Sequence, residues 1–401
     1  MRVLISDGNE RAALAATRAL GQRQIQVVVG AERSKSLAAS SKYCSGSFSY
    51  PSPYVDPTGF VSRILEIVKR DPFTALFPMS DIAMQILGPE KEKFEKYTRV
   101  PVPHWSVFEA VSDKWNLMKL ASSLQVPIPE TIFVPAGDID GVLGDISSFP
   151  VVVKPGRSLI QRTGTWCKTS VHYANNAEEL QQLYRQIEYL QQPSLVQRRV
   201  VGEGQGLFAL MNRGEPLVLF AHKRLREKPP SGGVSVLRES VELPKDMVDY
   251  ALRLLQHVGW HGVAMIEFKI DRDRGVPLLM EANGRFWGSL QLAIDAGVDF
   301  PYLLYQLATG QPIQVPINGY RSGVKSRWLL GDLDHLLLRL FNPEGRLHLP
   351  PGVPSKWQSL GNFCRFLQRR TYYEVERFND LGPGIYEWCH YFEQLLKIGS
   401  R

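Results

Sequence analysis

The sequence predicts a mixed α/β chain: an open parallel sheet first, a larger strand-rich region next, and a helical end. Three observations predict it. Over residues 1–105 short apolar runs alternate with amphipathic stretches, the rhythm of βαβ units. From about residue 149 to 310 strong strands dominate, several of them paired through short turns. After about Gly310 the chain is rich in Leu, Arg and aromatics, carries few strand signals and reads as mainly helical.

At 401 residues the chain is long enough for two or three domains with cores of their own. Hydrophobic residues at 44% and charged residues at 22% exclude a disordered chain. No apolar run approaches the roughly 20 residues of a membrane helix, so no membrane partner is expected. Met1-Arg-Val-Leu-Ile-Ser-Asp-Gly8 reads as a first strand and not as a signal peptide. Cys44, Cys167, Cys364 and Cys389 lack paired spacing and read as reduced thiols, so a cytoplasmic location is expected. The net charge of +7 is modest and spread out; it suits an anionic small molecule and leaves weak nucleic-acid or membrane-surface binding open. Gln368-Arg-Arg370 lacks the aromatic interleaving of an RNA-binding motif, which argues against a nucleic-acid partner.

The elements follow in order. Val3 to Ser6 is a buried strand, Glu10 to Leu20 a helix ended by Gly21, and Ile25 to Val29 a second strand. Asp56 to Arg70 is a helix capped by Asp56 or Thr58, Thr74 to Phe77 a strand, and Ser80-Asp81 opens another helix. Asp7-Gly8-Asn9 is a lone glycine turn without the GxGxxG of a dinucleotide site. Ser112-Asp113 caps a helix running to Leu124. Val151 to Lys154 and Ser194 to Arg199 are strands with a helix, Ala177 to Leu190, between them. Leu207 to Met211 and Leu217 to Lys223 form an antiparallel pair, followed by the glycine loop Pro229-Pro-Ser-Gly-Gly233. A helix from Asp246 to Val258 leads into a hairpin, and Ser289 to Gly297 begins another helix.

That hairpin, Gly262 to Asn283, carries the most chemistry. Alternation puts Ala264, Ile266 and Phe268 on one face of its first strand and Glu267 and Lys269 on the other. In the second strand Leu278, Met280 and Ala282 share a face, with Glu281 and Asn283 opposite. The turn from Asp271 to Gly275 sets Glu267 nearly across from Glu281. Like charges facing across a ladder destabilise it. Two carboxylates and an amide oxygen are also what a hard cation takes, and Arg285 lies within reach of an anion on that cation. The spacing therefore suggests a Mg²⁺ site facing a phosphate.

Other residues are individually ambiguous. Lys154 ends an apolar strand and Lys114 starts a helix; each suits a phosphate contact and also an ordinary surface position. Leu195 to Gly204 is a strand running into a glycine-flanked turn, able to offer backbone groups to an adenine, with Glu203 near a ribose. Lys223, Arg224 and Arg226 lie on or past a strand beside Gly232-Gly233, where they suit a phosphate or a carboxylate. His222, His257 and His261 show no metal spacing, and no nucleophile elbow or Cys/His pair is present.

In order and spacing these pieces resemble the ATP-grasp superfamily, the fold of ATP-dependent carboxylate–amine ligases. The resemblance covers residues 1–310 and runs through Leu76-Phe-Pro-Met-Ser-Asp81, Asp113-Lys114, Lys154-Pro155 and Leu195 to Gly204. Its specific part is Glu267-Phe268 with Met280-Glu-Ala-Asn-Gly-Arg285. The subgroup it most resembles is the one similar to the ATP-binding part of carbamoyl-phosphate synthase.

The resemblance implies an α+β ATP-grasp architecture in four parts. These are a pre-ATP-grasp domain (1–105), a linker helix and lid (106–196), a core subdomain with the Mg²⁺ site (197–310) and a mainly helical extension (311–401). It implies ATP and Mg²⁺ as cofactors. Lys114 and Lys154 are expected on the phosphates, Gln197, Arg198 and Val200 around adenine, and Glu203 on ribose. Glu267, Glu281 and Asn283 are expected on the metal. Arg285 is expected to stabilise the transferring phosphoryl group. Lys223 joins Arg285 as a catalytic candidate, read from its strand position. Gln197 stands where many relatives carry an acid, and the loop from Gly156 to Gly164 is poorer in glycine than many lids of the family. The expected reaction joins a small-molecule carboxylate to an amine through an acyl-phosphate, with a homodimer the usual assembly. Bicarbonate activation and a non-catalytic nucleotide-binding protein are the alternatives.

Overall fold

The computed structural model describes residues 1–399 except 344, 346, 348, 350, 351 and 367. The chain opens with a four-stranded, fully parallel sheet in the order β3-β2-β1-β4. Its elements are β1 (Arg2–Ile5), α1 (Arg11–Gln22), β2 (Gln26–Ala31), β3 (Gly46–Ser49), α2 (Pro57–Arg70) and β4 (Ala75–Phe77). Two short helices, α3 (Asp81–Leu87) and α4 (Lys91–Glu95), follow. The central strands are apolar throughout because helices and the rest of the protein cover both faces. Local side chains start the helices: Asp56 accepts from Gly59 N at 2.8 Å, and Ser80 from Ala83 N at 3.1 Å. β3 carries no sequence signal beyond one buried ring, Phe48; its pairing with β2 makes it a strand.

Helices α5 (Trp105–Ser112) and α6 (Lys114–Ser123) lead to a second sheet. It contains β5 (Thr131–Val134), β6 (Val151–Pro155), β9 (His172–Ala174) and β10 (Ser194–Arg198), in the order β5-β10-β6-β9. Between β6 and β9 stands a separate hairpin of β7 (Leu159–Arg162) and β8 (Thr165–Lys168). Helix α7 (Ala177–Gln186) packs on this sheet.

The largest sheet has seven strands in the order β15-β14-β11-β12-β13-β16-β17. It is built from β11 (Gly204–Asn212), β12 (Glu215–Lys228), β13 (Val234–Val241), β14 (Gly262–Ile270) and β15 (Pro277–Asn283), all antiparallel. Helices α8 (Lys245–His257), α9 (Leu290–Ala296) and α10 (Phe300–Thr309) accompany it. The last part, expected to be mainly helical, contains α11 (Leu329–Phe341), α12 (Lys356–Phe363) and α13 (Leu381–Gly399). It also adds β16 (Lys325–Arg327) and β17 (Thr371–Tyr373) to the sheet edge.

Three apolar clusters hold these layers. One joins α2, α3, α5 and α6 to β11, β14 and Leu279 of β15; a second joins β1, β2 and α1 to α9, α10 and the opposite face of β11. The third lies wholly within residues 134–196, around Val134, Val153, Leu180, Tyr184 and Val196. The N-terminal and seven-stranded sheets thus share cores; the second sheet has one of its own and also sends Leu195 of β10 into the first cluster, as the β7–β8 hairpin sends Leu159.

Candidate functional site

The site begins with β14 and β15. The ladder pairs Glu267 directly with Glu281 and Met265 with Asn283, as the turn length predicts. One strand-face expectation is corrected. Between Glu267 and Phe268 the register slips by a residue, so that Phe268 faces Leu279 and Met280 becomes the extra residue of a bulge. Leu279, not Met280, therefore joins Ala282 on the core face. Met280 instead lines the cavity beside Glu281 and lies 3.9 Å from Lys154 Nζ.

Cross-strand neighbours extend the Glu281–Glu267 row over the sheet. Gly206 of β11 stands opposite Glu267, His222 of β12 opposite Gly206, and Ser240 of β13 opposite His222. A Cβ at Gly206 would lie 2.8 Å from the Phe208 ring and 3.1 Å from His222, and one at Gly204 would lie 3.1 Å from Arg224. Gly204 clears a path for Arg224, whose guanidinium reaches back over β11 to pair with Glu267. Arg224 also donates to Glu227 at 2.9 Å and to the Gly233 carbonyl at 3.1 Å.

Above this floor lies a cavity of about 430 Å³, with the second sheet as its roof. Among the predicted site residues it brings together Lys154, Gln197, Arg198, Val200, Glu267, Glu281, Asn283 and Arg285. Lys114 borders an adjoining recess and reaches the same carboxylates, with Nζ 3.6 Å from Glu281 and 2.7 Å from Ser158 Oγ. The α6 cap fixes it: Asp113 accepts from Trp115 N at 2.9 Å and Asn116 N at 3.1 Å.

Two predicted residues stay outside the cavity. Lys223 stands opposite Gln205 and Glu239 and pairs with Glu239 at 3.7 Å. Gln205 in turn faces Phe268, so strand alternation turns Lys223 to the far face of the sheet and gives the cavity to His222 and Arg224. Glu203 is exposed and accepts from Gln205 at 2.7 Å.

Burial and neighbouring charge split the two carboxylates. Burial, reinforced by Glu281 against the pull of Arg224, pushes Glu267 up to about 7. Burial also opposes ionisation of Glu281, but Lys114, the Asn283 amide and Lys154 outweigh it and hold Glu281 down at about 2. Burial lowers Lys154 to about 8, despite Glu281. Arg285 is gripped at both ends by Asp81, with Nε–Oδ1 and Nη2–Oδ2 each 2.8 Å, and thereby ties the N-terminal layer to the site.

The donor set suits a hard divalent cation. The Asn283 amide donates to Glu281 at 3.2 Å and to Glu267 at 3.5 Å, so one oxygen of each carboxylate converges on a single point. Turning that amide over presents its oxygen there instead. Two carboxylates and an amide are too few to enclose Mg²⁺, which usually keeps waters and phosphate oxygens, so the set fits an ion that arrives with a nucleotide. Among the described residues no group of three or more His, Cys, Asp and Glu forms a separate metal centre.

Residues 211–329, which include the whole β14–β15 hairpin and Arg285, match a family described as ATP-grasp in the biosynthetic pathway with Ter operon. No curated protein matches the chain. Among solved structures, the biotin carboxylase domain of Hydrogenobacter thermophilus 2-oxoglutarate carboxylase is 16% identical with a TM-score of 0.63, over 81% of this chain and 73% of that one. Bacillus licheniformis L-amino acid ligase is 15% identical with a TM-score of 0.61, over 81% and 78%. Thermotoga maritima N5-carboxyaminoimidazole ribonucleotide synthetase is 15% identical with a TM-score of 0.58, over 81% and 79%. Residues 211–329 thus match an ATP-grasp family, and over 81% of its length the chain shares the fold of these solved structures.

Proposed function

We propose that the chain is an ATP- and Mg²⁺-dependent ligase that activates a carboxylate as an acyl-phosphate and passes the acyl group to an amine. The observation that carries this reading is the Glu267–Glu281–Asn283 set, sharing one cavity with Lys154, Arg224 and Arg285. Mg²⁺ held by that set supplies charge neutralisation for the triphosphate. Lys114 and Lys154 bind phosphate oxygens, and the β10 end from Gln197 to Val200 lines the adenine end of the cavity. Arg224 and Arg285 face the reacting oxygens as the carboxylate attacks the γ-phosphorus and ADP leaves. An amine then displaces phosphate from the acyl carbon. Such transfer needs placement and charge more than covalent help, and the amine is itself the nucleophile. The second sheet, with a core largely its own, closes as a lid and keeps water from the acyl-phosphate.

The test is ADP and phosphate release from ATP across a panel of amino acids, hydroxy acids and amines, with product masses recorded. Acid- and amine-dependent release with an amide product is expected; no acid-dependent release would count against the ligase. Bicarbonate is the second reading, favoured because the Hydrogenobacter domain has been solved with ADP, magnesium and bicarbonate. ADP release that needs bicarbonate and no organic acid selects it.

A further inference from the structure

The cavity does not stop at the carboxylate pair. Neighbouring strands lie about 4.8 Å apart, so the three steps from β14 through β11 and β12 to β13 carry its floor roughly 14 Å across the sheet. At the far end Arg238 of β13 and Arg11 of α1 both line it. Both converge on one oxygen of a single carboxylate, Glu374: Arg11 Nη1 lies 2.6 Å from Oε2, and Arg238 Nη2 pairs with the same atom. Arg238 has no exposed surface and its Nη1 donates to the Ser235 carbonyl at 2.6 Å. Arg11 stacks over the Trp328 ring at 3.8 Å.

Several polar atoms on this wall are unsatisfied. Arg238 Nε, Trp287 Nε1 and both nitrogens of His222 have no hydrogen-bond partner among the described residues, and all three side chains line the cavity. Buried donors without partners are costly, and Glu374 Oε1 beside them is a buried acceptor without a partner as well. The other carboxylates of the region, Glu376 and Glu387, each accept an indole N–H, from Trp388 and Trp328, on one oxygen and leave the other without a partner, and burial pushes both up. Gly288 completes the wall: a Cβ there would stand 2.9 Å from Arg11 Nη2. Neither the metal set nor the adenine end uses any of these groups.

We infer that this end of the cavity seats a second anionic group of the acid substrate, making the substrate an organic diacid. The inference rests on the ligase reading. The reacting carboxylate lies by Arg224 and the Glu267–Glu281 pair, and the other carboxylate receives the free donors of Arg11, with the buried charge of Arg238 behind it. The region after residue 310 is thereby part of the substrate wall, because Glu374 and Trp328 hold both arginines in place.

Hydroxylamine serves as the probe amine. One oxygen of the reacting carboxylate bonds to the γ-phosphorus as the bond from that phosphorus to the β–γ bridging oxygen breaks, and ADP leaves with the electron pair. The hydroxylamine nitrogen then bonds to the acyl carbon, phosphate leaves with the carbon–oxygen pair, and the nitrogen loses a proton to give a hydroxamate. Succinate, glutarate and adipate are compared with butyrate, valerate and hexanoate, using wild type, Gly288→Ala and Arg11→Gln. Gly288→Ala leaves every charge in place and only displaces Arg11. Expected are hydroxamates from a diacid, with kcat/KM about 10-fold or more above its monoacid, and a diacid KM raised about 10-fold in both variants at unchanged KM for ATP. Monoacids reacting as well as diacids, or variants with an unchanged diacid KM, overturn the inference and leave the ligase intact. Hydroxamate from no acid at all overturns both.

Discussion

Glu267 and Glu281 face each other across a ladder, a pairing that costs stability unless positive charge surrounds it. Lys114, Lys154 and Arg224 supply that charge. Removing Glu281 relieves Glu267 but leaves Lys114 and Lys154 without the carboxylate they hold ionised, so the loss falls on the fold as well as on the proposed metal set. Glu281→Ala is expected to lose ATP turnover by about 100-fold or more and to melt below wild type, whereas Glu281→Gln, which keeps the amide hydrogen bonding, is expected to lose turnover with a smaller drop in melting temperature. His222 offers a second residue-scale test. It is held neutral well below its ordinary 6.5, first by burial and then by Arg224 and Arg238. Its depressed folded pKa means that the unfolded chain takes up the proton first as pH falls, so stability drops below about pH 6.5. Urea midpoints at pH 7.5 and 5.5 are expected to fall further apart in wild type than in His222→Gln; equal spacing would exclude a titrating contribution from His222.

At the scale of elements, caps and turns do most of the positioning. The Asp113 cap starts α6 and so aims Lys114 at Glu281. Asp113→Ala is expected to cost about 1 kcal/mol in urea unfolding, together with a weakened ATP affinity from the loosened Lys114. These features were legible in the sequence because their causes are local: a cap needs a residue three positions away, and the turn from Asp271 to Gly275 sets the hairpin register. What was not legible depends on distant partners. The bulge at Met280 forms only against β14, and β3 exists only beside β2. Nothing local marks Arg11, Arg238 and Glu374 as one cluster, since Arg11 and Glu374 lie 363 positions apart. Lys223 is different. Strict alternation from Glu267 through Gly206 to His222 points to Arg224 as the cavity residue, but only once the order of β14, β11 and β12 is known.

Across the whole molecule, two shared cores fuse the N-terminal layer to the seven-stranded sheet, while residues 134–196 build a third core and reach the first through Leu159, Trp166 and Leu195. The proposed lid is this second sheet, which holds the least of the two shared cores. Its β7–β8 hairpin touches the N-terminal layer through a Trp166 N–H donated to the Tyr54 carbonyl at 2.8 Å. Nucleotide with Mg²⁺ is expected to slow amide hydrogen exchange in residues 151–174 more than in β1 or β14, and uniform protection would contradict a separate lid. The central claim is carboxylate activation, and isotope transfer tests it most directly. With the acid panel labelled in both carboxylate oxygens by ¹⁸O, the phosphate released from ATP is expected to carry one ¹⁸O atom taken from the acid. Phosphate labelled only from solvent water, whatever the acid, would contradict the account.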